Sequence, residues 1–142
     1  MRAALAVIAS LALAACGHAS VERPPAPECE VRFAAPSGFA PTETFEERYP
    51  DRIGVRLGFR DVAHRELHVF AGIRGEFGEG LPDAGTIEMT DGLTGTLVGR
   101  DDVWFLTWTL GDRCDPRVVL GNGFSRKAFQ ATLVEAGLAP AS

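Results

Sequence analysis

The chain has 142 residues, with 14 basic against 19 acidic side chains and a formal net charge of −5. That balance argues against nucleic acid as a partner, because affinity there comes from Lys and Arg on phosphates. The length fits one domain, and sixteen Gly with nine Pro point to turns rather than long helices.

Met1-Arg2 forms a short positive start, Ala3 to Ala12 an apolar run, and Leu13-Ala14-Ala15-Cys16 closes it with small residues before a cysteine. The run falls short of the roughly 20 residues that a spanning helix needs. Leu13-Ala14-Ala15-Cys16 resembles the lipobox of bacterial lipoproteins. The resemblance implies a signal peptide over residues 1–15, acylation of Cys16 as the mature N-terminus, and a protein lipid-anchored in the cell envelope, outside the cytoplasm. Two or three acyl chains anchor stably where one is marginal. Gly17, rather than Asp, follows the cysteine, which implies the outer membrane in a Gram-negative cell. In a Gram-positive cell the same signal implies the outer face of the cell membrane. Loss of residues 1–15 removes Arg2 and leaves thirteen basic against nineteen acidic groups, a charge of −6 that offers no second attachment to anionic lipid. Residues 16–28, with Pro24-Pro25-Ala26-Pro27, read as a Pro-rich tether, and residues 29–139 as the folded domain.

Cys29 opens that domain, with Val31 and Phe33 at alternating positions. Once Cys16 is set aside, Cys29 and Cys114 are the remaining thiols, and an oxidising compartment predicts a disulfide between them. The rivals, a metal pair or a reactive thiol, have no flanking His or third Cys behind them. Ala34 to Pro41 is a turn-rich crossing from which Phe39 plugs into the core, and Thr42 to Tyr49 reads as a weaker strand. In residues 53–60, Ile53, Val55, Leu57 and Phe59 share one face and Arg56 and Arg60 the other. After a short polar turn Leu67, Val69, Ala71 and Ile73 point inward, so the two runs form an antiparallel hairpin. Gly72 to Pro82 is a glycine-rich loop.

Ile87 and Met89 alternate with Glu88 and Thr90, and Asp91-Gly92 turns the chain into Leu93 to Arg100. Val103 to Leu110 is the strongest strand signal and reads as the central strand, with Trp104, Leu106, Trp108 and Leu110 all inside. Arg117 to Leu120 makes the last strand. Ser125 is placed to N-cap a helix whose Phe129, Leu133 and Ala136 recur on one side. Gly137 suits the left-handed position after the helix, with Leu138 folding back onto Leu133. The expected architecture is α+β: an antiparallel sheet of about five to seven strands with one C-terminal helix packed on one face. From Ile53 to Leu138, this order of a strand pair, an Asp91-Gly92 hairpin, Trp108-x-x-Gly111-Asp112, a last strand and Gly123-Phe124-Ser125 opening a helix is similar to a known small extracytoplasmic domain. That domain, of unknown function, occurs in lipoproteins and at the outer ends of anti-sigma factors of Gram-positive bacteria. Such domains have no established catalytic residues, so the resemblance carries none over. The lipobox, the paired cysteines and the missing catalytic constellation point instead to binding or envelope sensing.

The candidate chemistry is sparse. His64 and His68 have i, i+4 spacing, but on a strand that separates them by about 13 Å, too far for one zinc ion. Gly72, Gly75, Gly78 and Gly80 lack the Lys-Ser/Thr of a phosphate loop, and Glu76 and Glu79 would repel an anion. Asp101-Asp102 and Asp112/Asp115 read as turn residues before they read as acid–base or calcium pairs. No Gly-x-Ser-x-Gly elbow is present. Phe70 and Phe105 lie on strand faces opposite the predicted core, and Phe77 at the tip of the glycine loop. These three form the candidate ligand or partner surface, unless residues 29–45, with Val31, Phe33, Phe39 and Phe45, cover that face.

The expected protein is therefore non-enzymatic, with no cofactor and no metal. Its expected partners are the membrane through the anchor at Cys16 and an envelope protein or apolar ligand. A carrier of a lipid on the sheet face is the alternative, and a hydrolase the third reading.

Overall fold

The structure, a computed structural model, describes residues 24–141. The signal, the lipobox and Cys16 lie outside the described residues. Among the described residues seven strands, β1 (Ala40–Arg48), β2 (Ile53–Arg60), β3 (Glu66–Ala71), β4 (Asp83–Glu88), β5 (Thr94–Arg100), β6 (Val103–Trp108) and β7 (Arg117–Asn122), precede one helix, α1 (Arg126–Glu135). All seven join one antiparallel sheet in the order β1-β2-β3-β7-β6-β5-β4. No helix among the described residues is long and apolar enough to cross a membrane.

The chain builds two three-stranded meanders and then inserts β7 between them, where it pairs with β3 on one side and β6 on the other. The central strand is therefore β7, not Val103–Leu110 as the pattern alone suggests. Its neighbouring residues Val118 and Val119 point to opposite faces and are both fully buried. Burial on both faces gives a continuous apolar run instead of alternation, so the strand announces itself weakly. β6 keeps three of its four expected inward residues. Trp104, Leu106 and Trp108 are buried, but Leu110 is half exposed, because β6 ends at Trp108 and the chain turns. The cause of that turn is Asp115, whose carboxylate accepts from the amides of Leu110, Gly111 and Asp112 at 2.9, 2.8 and 3.0 Å.

The main core joins Leu67, Val69, Leu97, Leu106 and Val119 from the sheet to Phe124, Phe129 and Leu133. Gly121 is where the ring of Phe129 comes closest, since a Cβ there would sit 2.5 Å from that ring. The helix ends are as expected. Ser125 Oγ accepts from Ala128 N–H at 3.1 Å. Gly137 takes φ 79°, and Gly137 and Leu138 donate to the carbonyls of Val134 and Leu133, the paired bonds of a Schellman turn.

Val31, Phe33 and Phe39 pack against this same core, Phe39 with its ring 6.0 Å from that of Phe124. They do not cover the opposite face of the sheet, and Phe45, on edge strand β1, remains 45% exposed. The opposite face is covered instead by the glycine-rich loop. Its Phe77 ring lies 4.9 Å from Phe70. A Cβ on Gly78 would come within 2.5 Å of Val98 and 3.3 Å of Phe105, and its φ of 73° is left-handed. Only glycine meets both conditions, so the loop can lie flat on the sheet.

Cys29 and Cys114 are bonded, with Cα atoms 5.6 Å apart and 85 residues between them in sequence. Cys29 N–H donates to Ile53 at 2.8 Å and Gly72 N–H to Cys114 at 2.8 Å, so the N-terminal strap (residues 24–39), the β2–β3 hairpin and the entry to β7 meet at one corner. Pro27 already accepts from Ile53 N–H at 2.9 Å, so the fold takes hold of the chain two residues before Cys29. The Cys29→Ser/Cys114→Ser double variant is expected to lose on the order of 4 kcal/mol of stability, from the loop the bond closes, in a denaturant titration. Gly78→Ala is expected to cost about 1–3 kcal/mol, from left-handed strain together with the Val98 clash, in the same titration.

Candidate functional site

One end of the sheet carries the features that point to binding. In register across it stand Val55, Ala71, Arg117 and Trp108. Arg117 lies on the core side of β7, where an apolar residue would continue the pattern, and its side chain is only 7% exposed. A buried guanidinium needs compensation. It receives it from the turn just before β7. Nη1 donates to Asp112 at 2.7 Å and Asp115 at 2.8 Å, and Nη2 to Asp112 at 2.9 Å. Its Nε is buried with no partner among the described residues. The hydrogen bond from Arg117 holds the Asp112 carboxyl below its ordinary range, and Asp112 in turn raises Arg117. Asp112 also accepts from Cys114 N–H at 2.9 Å, so the ion pair and the disulfide share one turn.

Beside Arg117 opens a cleft of about 550 Å³. Its apolar wall is Val31, Met89, Leu93, Trp108, Leu110 and Leu138, and its polar rim includes Glu30, Arg32, Thr90 and Asp91. Four pieces of chain distant in sequence meet there: the N-terminal strap, the tip of the β4–β5 hairpin, the end of β6 and the residues after α1. Thr90 ties the hairpin tip to the helix end, its N–H donating to Leu138 at 3.0 Å and its Oγ1 to Gly137 at 2.9 Å. The volume lies within the range of small-molecule sites, and such sites combine apolar walls with a few polar groups.

The residues singled out in the sequence fall elsewhere. Phe70, Phe77 and Phe105 are half-buried under the glycine loop on the opposite face. His64 is an exposed turn residue with φ 62°. His68 is half-buried, with Nε2 3.4 Å from Glu66 and Nδ1 3.6 Å from Glu43. Arg60 pairs with Glu66, and Arg56 with Glu43 at 3.2 Å, so His68 belongs to a charge network spanning β1 to β3. Bonds from Arg60 and then His68 hold Glu66 below its ordinary range. No group of three or more His, Cys, Asp or Glu is placed to hold a metal ion among the described residues. Glu79 sits above its ordinary range through a shared hydrogen bond with Glu76.

Sequence reasoning missed the cleft because Trp108 and Leu110 scored only as core. The nearest signal was Asp112 and Asp115, which read as turn residues, just ahead of Arg117, which read as the start of the last strand. Compared with protein-family models, curated proteins and solved structures, the chain matches none.

Asp112 and Glu66 both have depressed values in the fold. Their stabilisation is complete above the ordinary carboxylate pKa and is lost as pH falls through the lowered folded value. The melting temperature is therefore expected to drop on acidification below about pH 4. Asp112→Asn is expected to flatten that acid limb in melts followed by circular dichroism. Asp115→Asn, which loosens the turn and one arm of the buried ion pair, is expected to cost about 1.5–3 kcal/mol at neutral pH.

Proposed function

We propose that this chain is an exported lipoprotein, acylated at Cys16, whose domain acts outside the cytoplasm as a binding or envelope-sensing module and not as an enzyme. Its helix α1, in this reading, closes one face of the sheet and leaves one end free for recognition. The observation that carries the proposal is the Cys29–Cys114 bond, of a kind that persists in oxidising compartments and is rare in the cytosol. The Leu13-Ala14-Ala15-Cys16 sequence supports it from the other side, since it supplies both an export route and an anchor. The likeness of residues 53–138 to extracytoplasmic domains of unknown function fits the same place in the cell.

The carrier reading is favoured by a separate observation, the apolar cleft at the Trp108 end of the sheet. It moves the ligand from the Phe70–Phe105 face, which the glycine loop covers, to an opening between the strap and the β4–β5 tip. Binding requires no catalytic group there, and Arg117, which lines it, has both Nη atoms engaged by Asp112 and Asp115.

The test is on Cys16. Cells supplied with labelled palmitate are expected to incorporate it into the protein, and Cys16→Ser to lose the label and move the protein from the membrane to the soluble fraction. Absence of label from the unaltered protein sinks the anchoring.

A further inference from the structure

We propose that the cleft at the Trp108 end of the sheet binds a single fatty-acyl chain bearing a carboxylate head, drawn from the bilayer on which the domain stands. This names the ligand of the carrier reading and rests on the anchor at Cys16.

Position carries the argument first. Pro27 and Glu28 join the sheet at Ile53, which begins the same end of the sheet that holds Ala71, Arg117 and Trp108. Chain from Cys16 to Cys29 is thirteen residues and reaches on the order of 45 Å when extended. The cleft thus opens on the tethered end of the domain, within reach of the bilayer surface, and its strap wall continues directly from the tether.

Surface chemistry carries it further. Leu110 stands half exposed at the cleft, left out of the core by the Asp115 turn. Met89, Leu93, Trp108 and Leu138 continue the apolar surface inward. Met89, Trp108 and Leu138 are already buried, so the apolar surface left open is that of Leu110 with the half-buried Val31 and Leu93. An acyl chain covers it at a gain, and a polar ligand only at the cost of its own desolvation. For the head, Arg32 lies on the rim, exposed and in no ion pair among the described residues. Glu30 and Asp91 on the same rim oppose an anionic head, a singly charged carboxylate less than a phosphate of higher charge, so Arg32 alone holds it.

Trp108 makes the proposal readable. It lines the cleft, whereas Trp104 does not and donates its indole N–H to Phe124 inside the core at 3.0 Å. The acylated full chain in phosphatidylcholine vesicles is titrated with dibromostearate, a fatty acid whose bromines quench nearby indoles. Saturable quenching is expected in the unaltered protein and its loss in Trp108→Phe, which retains Trp104. Leu110→Glu, a change at a half-exposed residue, is expected to raise the midpoint about tenfold, while Phe45→Glu, on the edge strand β1, leaves it unchanged. No quenching, equal quenching in Trp108→Phe, or a Leu110→Glu midpoint like the unaltered one overturns the proposal. Quenching by a two-chain dibromostearoyl phosphatidylcholine but not by the fatty acid also overturns it, since the domain then only dips into the lipid. Palmitate incorporation is measured on the same preparation. Label at Cys16 without quenching removes the cleft ligand alone, whereas quenching in solution without label removes the anchor, and with it the bilayer as the source of the chain, while the cleft ligand stands.

Discussion

The insertion of β7 between two finished meanders is the constraint on which this fold depends. Before residues 117–122 arrive, β3 and β6 each end in an open edge, and each half has only part of the core. β7 supplies six paired positions to β3 and six to β6, and places Val119 on one face and Val118 on the other. The pairings with β6 are local, but those with β3, from Ala71 with Arg117 to Glu66 with Asn122, join residues far apart in sequence, so loop-closure entropy is met before those contacts form. Two devices lower that barrier locally. Cys114 ties the approach to β7 to Cys29, and Asp112 with Asp115 shapes the turn while neutralising Arg117 at the first residue of the strand.

The same corner explains why binding features gather at one end. Burying Arg117 requires a carboxylate turn in front of it, and that turn ends β6 at Trp108. Leu110 is consequently pushed outward, and the space between Trp108, the strap and the β4–β5 tip stays open. The cleft is thus a product of the ion pair and the disulfide rather than a separate construction. At the opposite end Trp104 is sealed by its bond to Phe124, and residues 123 and 124 donate to Asp102. One end of the sheet is closed and the other is not.

Much of the fold was legible because it was local. The hairpin at Asp91-Gly92, the alternation in residues 53–60, the Ser125 cap and the Gly137 stop all declare themselves within a few residues. Leu110 misled, since alternation predicts which way a side chain points only while the strand lasts, and an aspartate five residues on ended it. Phe77 read as an exposed tip because the distance from loop to sheet is invisible in a linear pattern. The glycine at 78 that allows the approach looks like any loop glycine.

The amino-acid sequence by itself determined the strand and helix segments and the helix caps, since each is set by neighbours along the chain. Only the tertiary structure decided which strand is central, which face the strap and the glycine loop cover, and where a cleft remains. Those outcomes depend on competition among segments tens of residues apart for the same apolar surface. A period-two pattern says that a face must be covered, and nothing in it says by what.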